Sequence, residues 1–255
     1  MRVAFAVRAW AAVAPGLQSQ EQWLRWADAP SCPVGAAVVE LPQVPPMARR
    51  RLGHLAKMAV SVADAALVSA RSADIPIVWA SRYGDAAKSI ALLQTQALDE
   101  ALSPTAFGLS VHNGVGAQHS ILRGIRANAV CVASSHCAPE AGVVEAVGLL
   151  NDVEQELAEV LLVSYDEPLP SDYAVFHDEP VAEYAWAALL VPLQPGDEGY
   201  VLQALDDVPR EHGRHGESDA LPHGLDVLHF LLQGKRQSLV HGHASGQWMW
   251  ERVHA

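Results

Sequence analysis

The sequence predicts an α/β protein whose sheet is covered by helices on both faces. Two observations support this fold class. Short and almost continuously apolar runs, such as IPIVWAS at 75–81 and EVLLVSYDE at 159–167, are typical of buried strands. Segments with apolar residues every three or four positions, above all 49–70, lie between such runs and indicate amphipathic helices. Strands that alternate with helices in this way are the pattern of an α/β sheet.

The first half of the chain contains five predicted elements. An alternating apolar run predicts the opening strand, and two tryptophans three positions apart predict the packed face of the helix that follows it. In order, the elements are a strand at Val3–Ala9, a helix around Trp23 and Trp26, a helix at 49–70, a strand at 75–81 and a helix at Ala87–Leu102.

The second half continues the alternation after a helix break at Ser103 and Pro104, which also mark the start of a short second helix. The elements that follow are one or two helical turns from His119, a strand at Ala129–Ala133, a helix at Ala141–Leu157 and strands at 159–167 and 184–193.

The C-terminal part of the chain has a different pattern. A polar loop at 206–220 precedes a helix at 223–235, and a final pair of strands follows. We therefore expect a main domain at 1–193 and a short C-terminal extension at 194–255 that completes it.

The composition excludes several classes of function. The chain has 255 residues, half of them hydrophobic, with 29 acidic and 17 basic residues and a formal net charge of −12. Nucleic-acid binding requires basic residues that neutralise phosphates, so we do not expect it here. No apolar run reaches the roughly 20 residues of a membrane-spanning helix. Three cysteines without CxxC spacing form neither a disulfide framework nor a zinc module. We expect a cytoplasmic protein that is not inserted in a membrane.

Cys137 is a candidate nucleophile. It follows a predicted strand and precedes a helix start that is marked by Pro139. The N-terminus of a helix stabilises a thiolate and lowers its pKa, which activates the sulfur. Glu140 opposes this effect, because it places a negative charge in the first turn. The residues leave two interpretations open: an activated thiol, and a buried, unreactive cysteine where a strand joins a helix.

The histidines and glycines predict neither a metal site nor a cofactor site. His212 and His215 lie in a glycine-rich polar segment, and His241 and His243 have the spacing of neighbours on one face of a strand. Neither pair has a third ligand close in sequence, so we expect packed or solvated histidines. The NGVG stretch at 113–116 lacks the preceding strand and the third glycine of a dinucleotide-binding loop.

Five stretches together resemble one protein family. They are Pro46 with RRRL at 49–52, VWASRYGD at 78–85, SPTAFGLSVHNGVG at 103–116, GVVEAVGLL at 142–150 and LLVSYDEPLP at 161–170. In order and content they resemble the β-ketoacyl synthase-like proteins called chain length factors, which accompany polyketide clusters of the aryl polyene type. The resemblance covers roughly residues 1–193. It implies a thiolase-like fold with αβαβα layers, of which this chain would hold only the N-terminal half plus a short C-terminal extension.

The resemblance also implies a subunit without catalysis of its own. In active ketosynthases of this fold a nucleophilic cysteine begins a buried helix, at a position that falls here on His136 or Cys137. The two catalytic histidines of those enzymes lie in a second half of the fold, which a chain of 255 residues is too short to include. We expect no catalytic residue, with Cys137, His136 and His112 as the weak candidates.

The partner implied by the resemblance is a catalytic β-ketoacyl synthase, through which the chain would meet an acyl carrier protein indirectly. The missing half would leave one face of the sheet poorly covered, and a second thiolase-like subunit would bury it. Residues 103–137 would supply the interface or the wall of a tunnel that limits chain length. Within that stretch we single out Ser110, His112, Asn113 and Gly116. The products would be polyketides, aryl polyenes or fatty-acid-like chains.

One alternative function uses Cys137 itself. With His112 or His136 as the base, the chain would be a stand-alone acyltransferase or thioester hydrolase. The state of the thiol separates the two hypotheses, because only the enzyme requires a lowered pKa at Cys137.

Overall fold

One eight-stranded sheet organises the chain. The structure is a computed structural model and describes residues 1–205, 220–243 and 246–254; the predicted polar loop at 206–220 lies, except for its last residue, outside the described residues. The elements are β1 (Arg2–Val13), α1 (Gln20–Asp28), α2 (Pro46–Arg49), α3 (His54–Leu67), β2 (Ile77–Ala80), α4 (Ala86–Ala97), α5 (Pro104–Ser110), α6 (Gly114–Arg123), β3 (Ala129–Val132), α7 (Ala138–Leu150), β4 (Val160–Asp166), a 3₁₀ turn (Ser171–Phe176), β5 (Tyr184–Val191), β6 (Glu198–Leu205), α8 (His223–Leu232), β7 (Ser238–His243) and β8 (Gly246–His254).

The strands lie in the order β3-β2-β4-β5-β1-β6-β8-β7. β2 runs parallel to β3 and to β4, and the other neighbouring pairs are antiparallel. The predicted extension at 194–255 thus adds three strands to the same sheet. One sheet between two helical layers agrees with the N-terminal half of a fold built from αβαβα layers.

Helices cover the two faces of the sheet to different extents. On one face α3 places Met58 and Val62 against the sheet, beside Tyr165 of β4. On the other face α7, α8 and α1 share a second core, in which Trp23 and Phe230 are buried. Among the described residues, the core on the α3 side contains none of β6, β7 or β8, and Val240 of β7 is 42% exposed. The expectation that one face would be poorly covered therefore stays a prediction.

Strand β1 joins the two parts of the sheet, β3-β2-β4-β5 and β6-β8-β7, and it contains a β-bulge. Arg2–Phe5 pair with β6, and Ala6–Val13 pair with β5, with a register shift between Val7 and Ala9. An extra residue in a strand reverses which face its later side chains point to. Odd-numbered residues such as Phe5 accordingly face the α7 side before the shift, and even-numbered residues face it afterwards.

Helix α1 covers the edge of β1 that β6 leaves unpaired. Its side chains donate hydrogen bonds to two strand carbonyls, from Gln20 Nε2 to Trp10 O (2.8 Å) and from Trp23 Nε1 to Ala12 O (2.9 Å). Covering an edge in this way prevents pairing with other strands. The predicted packing of Trp23 with Trp26 is confirmed, since their rings meet edge to face with centroids 5.0 Å apart.

The predicted helix at 49–70 is divided in the structure. α2 ends at Arg49, and α3 begins only at His54, with the extended Gly53 (φ −64°, ψ 171°) as its N-cap. Glycine inside a helix costs about 0.5–1 kcal/mol relative to alanine. The apolar period continues across this point in the sequence, but the helix does not.

Two other predicted helices have different bounds. α4 ends at Ala97, five residues early, and Asp99 just beyond it has a left-handed φ of 60°. α7 begins at Ala138, because Cys137 is the N-cap and Pro139 fits the first turn, and it ends at Leu150 rather than at residue 157.

The C-terminal extension has the predicted element types. Its helix ends at Leu232, three residues before the predicted end, because Gln233 is extended (φ −89°, ψ 128°). The final pair of strands is present as β7 and β8, which are antiparallel neighbours.

The packing of α7 on the sheet predicts opposite effects for its two glycines. A Cβ at Gly142 would lie 2.6 Å from Leu162 Cδ1 and 3.0 Å from Ala80 Cβ, whereas at Gly148 no atom is within 4 Å. Both neighbours of Gly142 are buried, so Gly142→Ala should lower the free energy of unfolding by about 1 kcal/mol or more. Gly148→Ala, the matched control, should raise it by about 0.5–1 kcal/mol. Urea unfolding of both variants measures the difference, and equal effects would contradict this packing.

Candidate functional site

Cys137 lies where the chain passes from β3 into α7. It is the N-cap residue of α7 and is buried, with 6% of its surface exposed. Burial and the nearby Glu140 raise the pKa of the thiol to about 12, although Arg82 acts in the opposite direction. Within the described residues no side chain forms a hydrogen bond with its sulfur. At neutral pH Cys137 is therefore a protonated thiol, in spite of its place at a helix N-terminus.

His136 belongs to a polar network beside Cys137. Its Nε2 lies 2.7 Å from Asp178 Oδ2 and 3.1 Å from Arg82 Nη2, and its Nδ1 lies 2.9 Å from Ser135 Oγ. Hydrogen bonds from Arg82 and His136 hold the pKa of Asp178 well below its usual range. The ring of His136 is thus oriented by a carboxylate and a guanidinium, and the structure does not bring it together with the sulfur of Cys137.

His112 is bound to the backbone of the neighbouring strand. It donates a hydrogen bond from Nε2 to Val132 O at the end of β3 (3.0 Å). A Cβ on Gly84, whose φ is +58°, would lie only 2.8 Å from its Nδ1. His112 therefore fixes the turn between α5 and α6 against two loops, and it makes no hydrogen bond with Cys137.

The other residues singled out at 110–116 lie in different environments. Ser110 ends α5 and donates from Oγ to Phe107 O (2.9 Å), and Asn113 is exposed at the start of α6. Gly116 is buried, and a Cβ there would meet Trp79 Cδ1 at 2.8 Å and Cys131 Sγ at 3.3 Å. The close approach at Gly116 thus lies inside this chain, between α6 and the strands β2 and β3.

The first turn of α7 carries a buried carboxylate. Glu140 has no exposed surface, and its Oε1 lies 2.7 Å from His223 Nε2 and accepts a hydrogen bond from Trp250 Nε1 (2.8 Å). Burial alone would raise the pKa of Glu140, but the charge and hydrogen bond of His223 bring the pKa below its usual value. Glu140 is therefore an ionised group whose charge is compensated inside the core.

A second histidine completes this buried cluster. The ring of His241 stacks on that of His223, with centroids 3.3 Å apart and an angle of 15°. Burial and the neighbouring His223 lower the pKa of His241 to about 4, so His241 is neutral near pH 7. It donates from Nε2 to His136 O (2.9 Å). The extension at 194–255 thus holds the turn that contains Cys137.

The carboxyl ends of β2 and β4 meet at Asp166. Its carboxylate accepts hydrogen bonds from Ser81 Oγ (2.8 Å) and from the backbone of Arg82 and Tyr83 (3.0 and 3.1 Å). Burial nevertheless raises its pKa to about 6. These bonds orient the loop that carries Arg82, so Asp166 positions one wall of the network around His136.

Sequence reasoning missed the partners of Glu140. The negative charge beside Cys137 is visible in the sequence, but His223 and Trp250 lie 83 and 110 residues away along the chain. No local spacing connects such residues. The stacking partner of His241 is hidden for the same reason.

The structure also locates the histidines considered as metal ligands. His212 and His215 lie outside the described residues, whereas His241 is engaged with His223 and with the backbone. Over 1–205, 220–243 and 246–254, no group of three His, Cys, Asp or Glu side chains is placed to hold a metal ion. In the same residues no helix is long and apolar enough to cross a membrane.

The comparison with protein families decides the family. The sequence pattern of the family described as "Beta-ketoacyl synthase, N-terminal domain" matches residues 23–251. This chain belongs to that β-ketoacyl synthase family. A comparison with curated protein sequences finds no match.

Solved structures of ketosynthases have the same fold. One similar chain comes from the complex of the ketosynthase ApeO with its chain length factor ApeC from Xenorhabdus doucetiae, at 26% identity and a TM-score of 0.79. The match covers 98% of the present chain and 100% of that chain. The ishigamide ketosynthase/chain length factor matches at 12% identity, with a TM-score of 0.61 and 79% and 68% of the two chains covered. A β-ketoacyl synthase from Burkholderia phymatum STM815 matches at 11% identity, with a TM-score of 0.55 and 74% and 59% covered. The last two likenesses show the fold alone.

The state of Cys137 predicts slow alkylation. Iodoacetamide reacts with thiolates, so a thiol with a pKa of about 12 should label only slowly up to pH 9. The Cys32→Ala/Cys131→Ala variant leaves Cys137 as the single target, and urea-unfolded protein provides the reactive reference. Mass spectrometry across pH 6–9 measures the rates. Labelling of the folded variant as fast as that of the unfolded chain at pH 7 would contradict the assignment.

The Glu140 cluster predicts a pH dependence of stability. The contribution of Glu140, whose pKa is lowered, is present above its ordinary value and is lost as the pH falls through the folded value. Burial opposes protonation of His223, but Glu140 raises its pKa, so its contribution is lost as the pH rises through that raised value. The lowered pKa of His241 removes stability as the pH falls from about 6.5 towards 4.

Glu140→Gln should therefore lower the free energy of unfolding at pH 7 by about 3 kcal/mol, because it removes one partner of a buried ion pair. The variant should also lose the decline in stability that His223 causes as the pH rises. Glu145→Gln makes the same chemical change on α7 and serves as control, because Glu145 has no hydrogen-bonded side-chain partner in the described part of the chain. Urea unfolding between pH 5 and pH 9 measures both effects; equal curves for the two variants would contradict the pairing.

Proposed function

We propose that this chain is a non-catalytic ketosynthase-like subunit, a chain length factor, that pairs with a catalytic β-ketoacyl synthase. The observation that supports this proposal most directly is the environment of Cys137. Its sulfur is buried beside a carboxylate, has a raised pKa, and makes no hydrogen bond to a histidine within the described residues.

The chemistry of condensation explains why this environment matters. A decarboxylative condensation needs an activated thiolate as nucleophile and donors that stabilise the developing negative charge. Glu140 works against both requirements, and the nearby histidines have other partners: His136 contacts Asp178, and His112 binds Val132 O. The same facts count against a stand-alone acyltransferase or thioester hydrolase that uses Cys137.

The likeness to the ApeO–ApeC complex supports the choice of partner. That complex contains a ketosynthase and its chain length factor, and the matched chain is covered over its whole length. We propose an equivalent pairing here, in the synthesis of polyketides of the aryl polyene type or of related fatty-acid-like chains. An acyl carrier protein would then meet this chain through the ketosynthase. Three free cysteines are compatible with the cytoplasm that we propose as its compartment.

The end of the sheet at β3 offers a surface for this partner. β3 is an edge strand that pairs only with β2 among the described strands. α6 packs on β3, and α5 and α4 pack next to it in turn. These helices and the segments that join them expose large apolar side chains, which is the composition of protein interfaces. These exposed residues are Leu93, Leu98, Leu102, Phe107, Val111 and Ile121.

We place the four residues at 110–116 within this proposed contact region. Ser110 and Asn113 would contribute from the surface, where they lie at the ends of α5 and α6. His112 and Gly116 would support the contact from inside the chain, since they hold α6 against β3. The wall of a chain-limiting tunnel would then form between this region and the partner.

Co-expression with a catalytic ketosynthase tests the pairing. A stable complex should co-purify, and Phe107→Asp/Ile121→Asp should separate it, because both side chains are more than 60% exposed, on α5 and on α6. Val68→Asp, at an 85% exposed position near the end of α3, is the matched control. Separation of the complex by the control but not by the double variant would contradict the proposed surface.

Activity of the same complex separates the proposal from the enzyme alternative. Cys137→Ala should leave product formation unchanged, since the thiol would take no part in the reaction. If Cys137→Ala abolished the products of a complex that still assembles, the subunit would be catalytic.

A further inference from the structure

A groove runs along the outer side of α3, on the face of the sheet opposite to α7 and Cys137. Its first part is a cleft of about 590 Å³ between α3, the end of β1 and the extended segment at 38–40. Ser61 and Ala65, one helical turn apart, present small side chains to this cleft, which leaves the helix surface concave. The hydroxyl of Ser61 donates a hydrogen bond to Met58 O (2.7 Å), so this polar group of α3 is already satisfied within the chain.

The lining of this first part is mixed. Val38 and Val39 of the extended segment and Ala65 of α3 contribute apolar groups, and Gln18, Gln20 and Glu40 contribute polar groups. Val38 is 64% exposed, so apolar surface faces the solvent at the mouth of the cleft. A cleft that combines exposed apolar surface with a few polar groups is typical of a binding surface.

The groove continues into a basic part. A second cleft of about 400 Å³ is lined by Leu41, Pro42, Arg49, Arg50 and Lys57, and it shares Val39 and Glu40 with the first. Arg49 supports its wall by donating from Nη1 to Leu41 O (3.2 Å).

The cations around the basic part have no acidic partner among the described residues. Arg49, Arg50, Arg51 and Lys57 form no ion pair with any residue that the structure describes. The one carboxylate in the lining is Glu40, so the cluster keeps an excess of positive charge. In a chain with a formal net charge of −12, uncompensated cations concentrated within nine positions are a local exception. Such a patch attracts negatively charged groups.

We propose that this groove binds an extended segment of a partner protein in which apolar residues are followed by acidic residues. The apolar residues occupy the cleft beside Val38 and Ala65, and the acidic residues reach Arg50 and Lys57. Because the two clefts share Val39, one continuous segment can fill both, with its apolar residues in the first cleft and its acidic residues in the second. A nucleic acid fits less well, because no cation lines the first cleft and the carboxylate of Glu40 lies where the two clefts meet. The proposal is independent of the pairing at β3, which lies at the end of the sheet.

A labelled peptide tests this inference with the full chain. The probe has about eight residues, four leucines or valines followed by four glutamates, a length of about 27 Å when extended. It should bind with an affinity that falls as the salt concentration rises. A peptide with lysines in place of the glutamates should not bind. Fluorescence polarisation measures both.

Two variants and one control locate the site. Arg50→Glu/Lys57→Glu should weaken binding at least about tenfold, whereas Arg2→Glu/Arg25→Glu, with the same change in net charge at exposed positions elsewhere, should leave it unchanged. Ala65→Trp should weaken binding by filling the apolar cleft, and Ala65 is exposed, so the fold tolerates the change.

Three results would overturn the inference: no binding of the acidic peptide, equal loss in the control, or full binding to Ala65→Trp. Displacement of the peptide by inorganic phosphate alone, without an effect of Ala65→Trp, would identify a simple anion site instead. Circular dichroism of each variant separates loss of binding from loss of folding.

Discussion

A buried negative charge determines how this protein is held together. Glu140 has no exposed surface, and an ionised carboxylate in that position is tolerated only if a cation and hydrogen-bond donors compensate it. His223 of α8 and Trp250 of β8 supply both. Because these partners come from the last elements of the chain, α7 and the C-terminal extension depend on each other. Burial raises the pKa of the Cys137 thiol, and the charge of Glu140 adds to this effect, so the carboxylate that stabilises the fold also disfavours a thiolate at Cys137.

Strand β1 connects the part of the sheet under α7 with the strands of the C-terminal extension. Its first residues pair with β6 and its later residues with β5, and the bulge between Val7 and Ala9 lets both parts contribute to one core. Without the reversal of side-chain direction, Trp10 and Phe5 would lie on opposite faces of the sheet. The α7 side would then lose a continuous apolar layer, and α8 would have no surface on which to hold His223 near Glu140.

The sequence predicts those parts of the fold that depend on local pattern. The apolar runs at 75–81 and 159–167 become β2 and β4, since a strand buried on both faces needs no partner to be recognised. Helix ends depend on single backbone conformations, such as the left-handed φ of Asp99, and the apolar period does not report them. The partners of Glu140 are contacts across the fold, so no spacing in the sequence could predict them.

The distribution of chemistry over the molecule is consistent with the proposed role in recognition. Ionisable groups near Cys137 are paired with each other: Arg82 with Asp178, and Glu140 with His223. Groups without such partners lie elsewhere, as apolar side chains beside β3 and as cations beside α3. A catalytic site needs reactive groups that are free to exchange protons or to attack a substrate. Near Cys137 the charged side chains are instead held in ion pairs with one another. The two surfaces proposed for contact with other molecules lie at places that the sheet keeps apart.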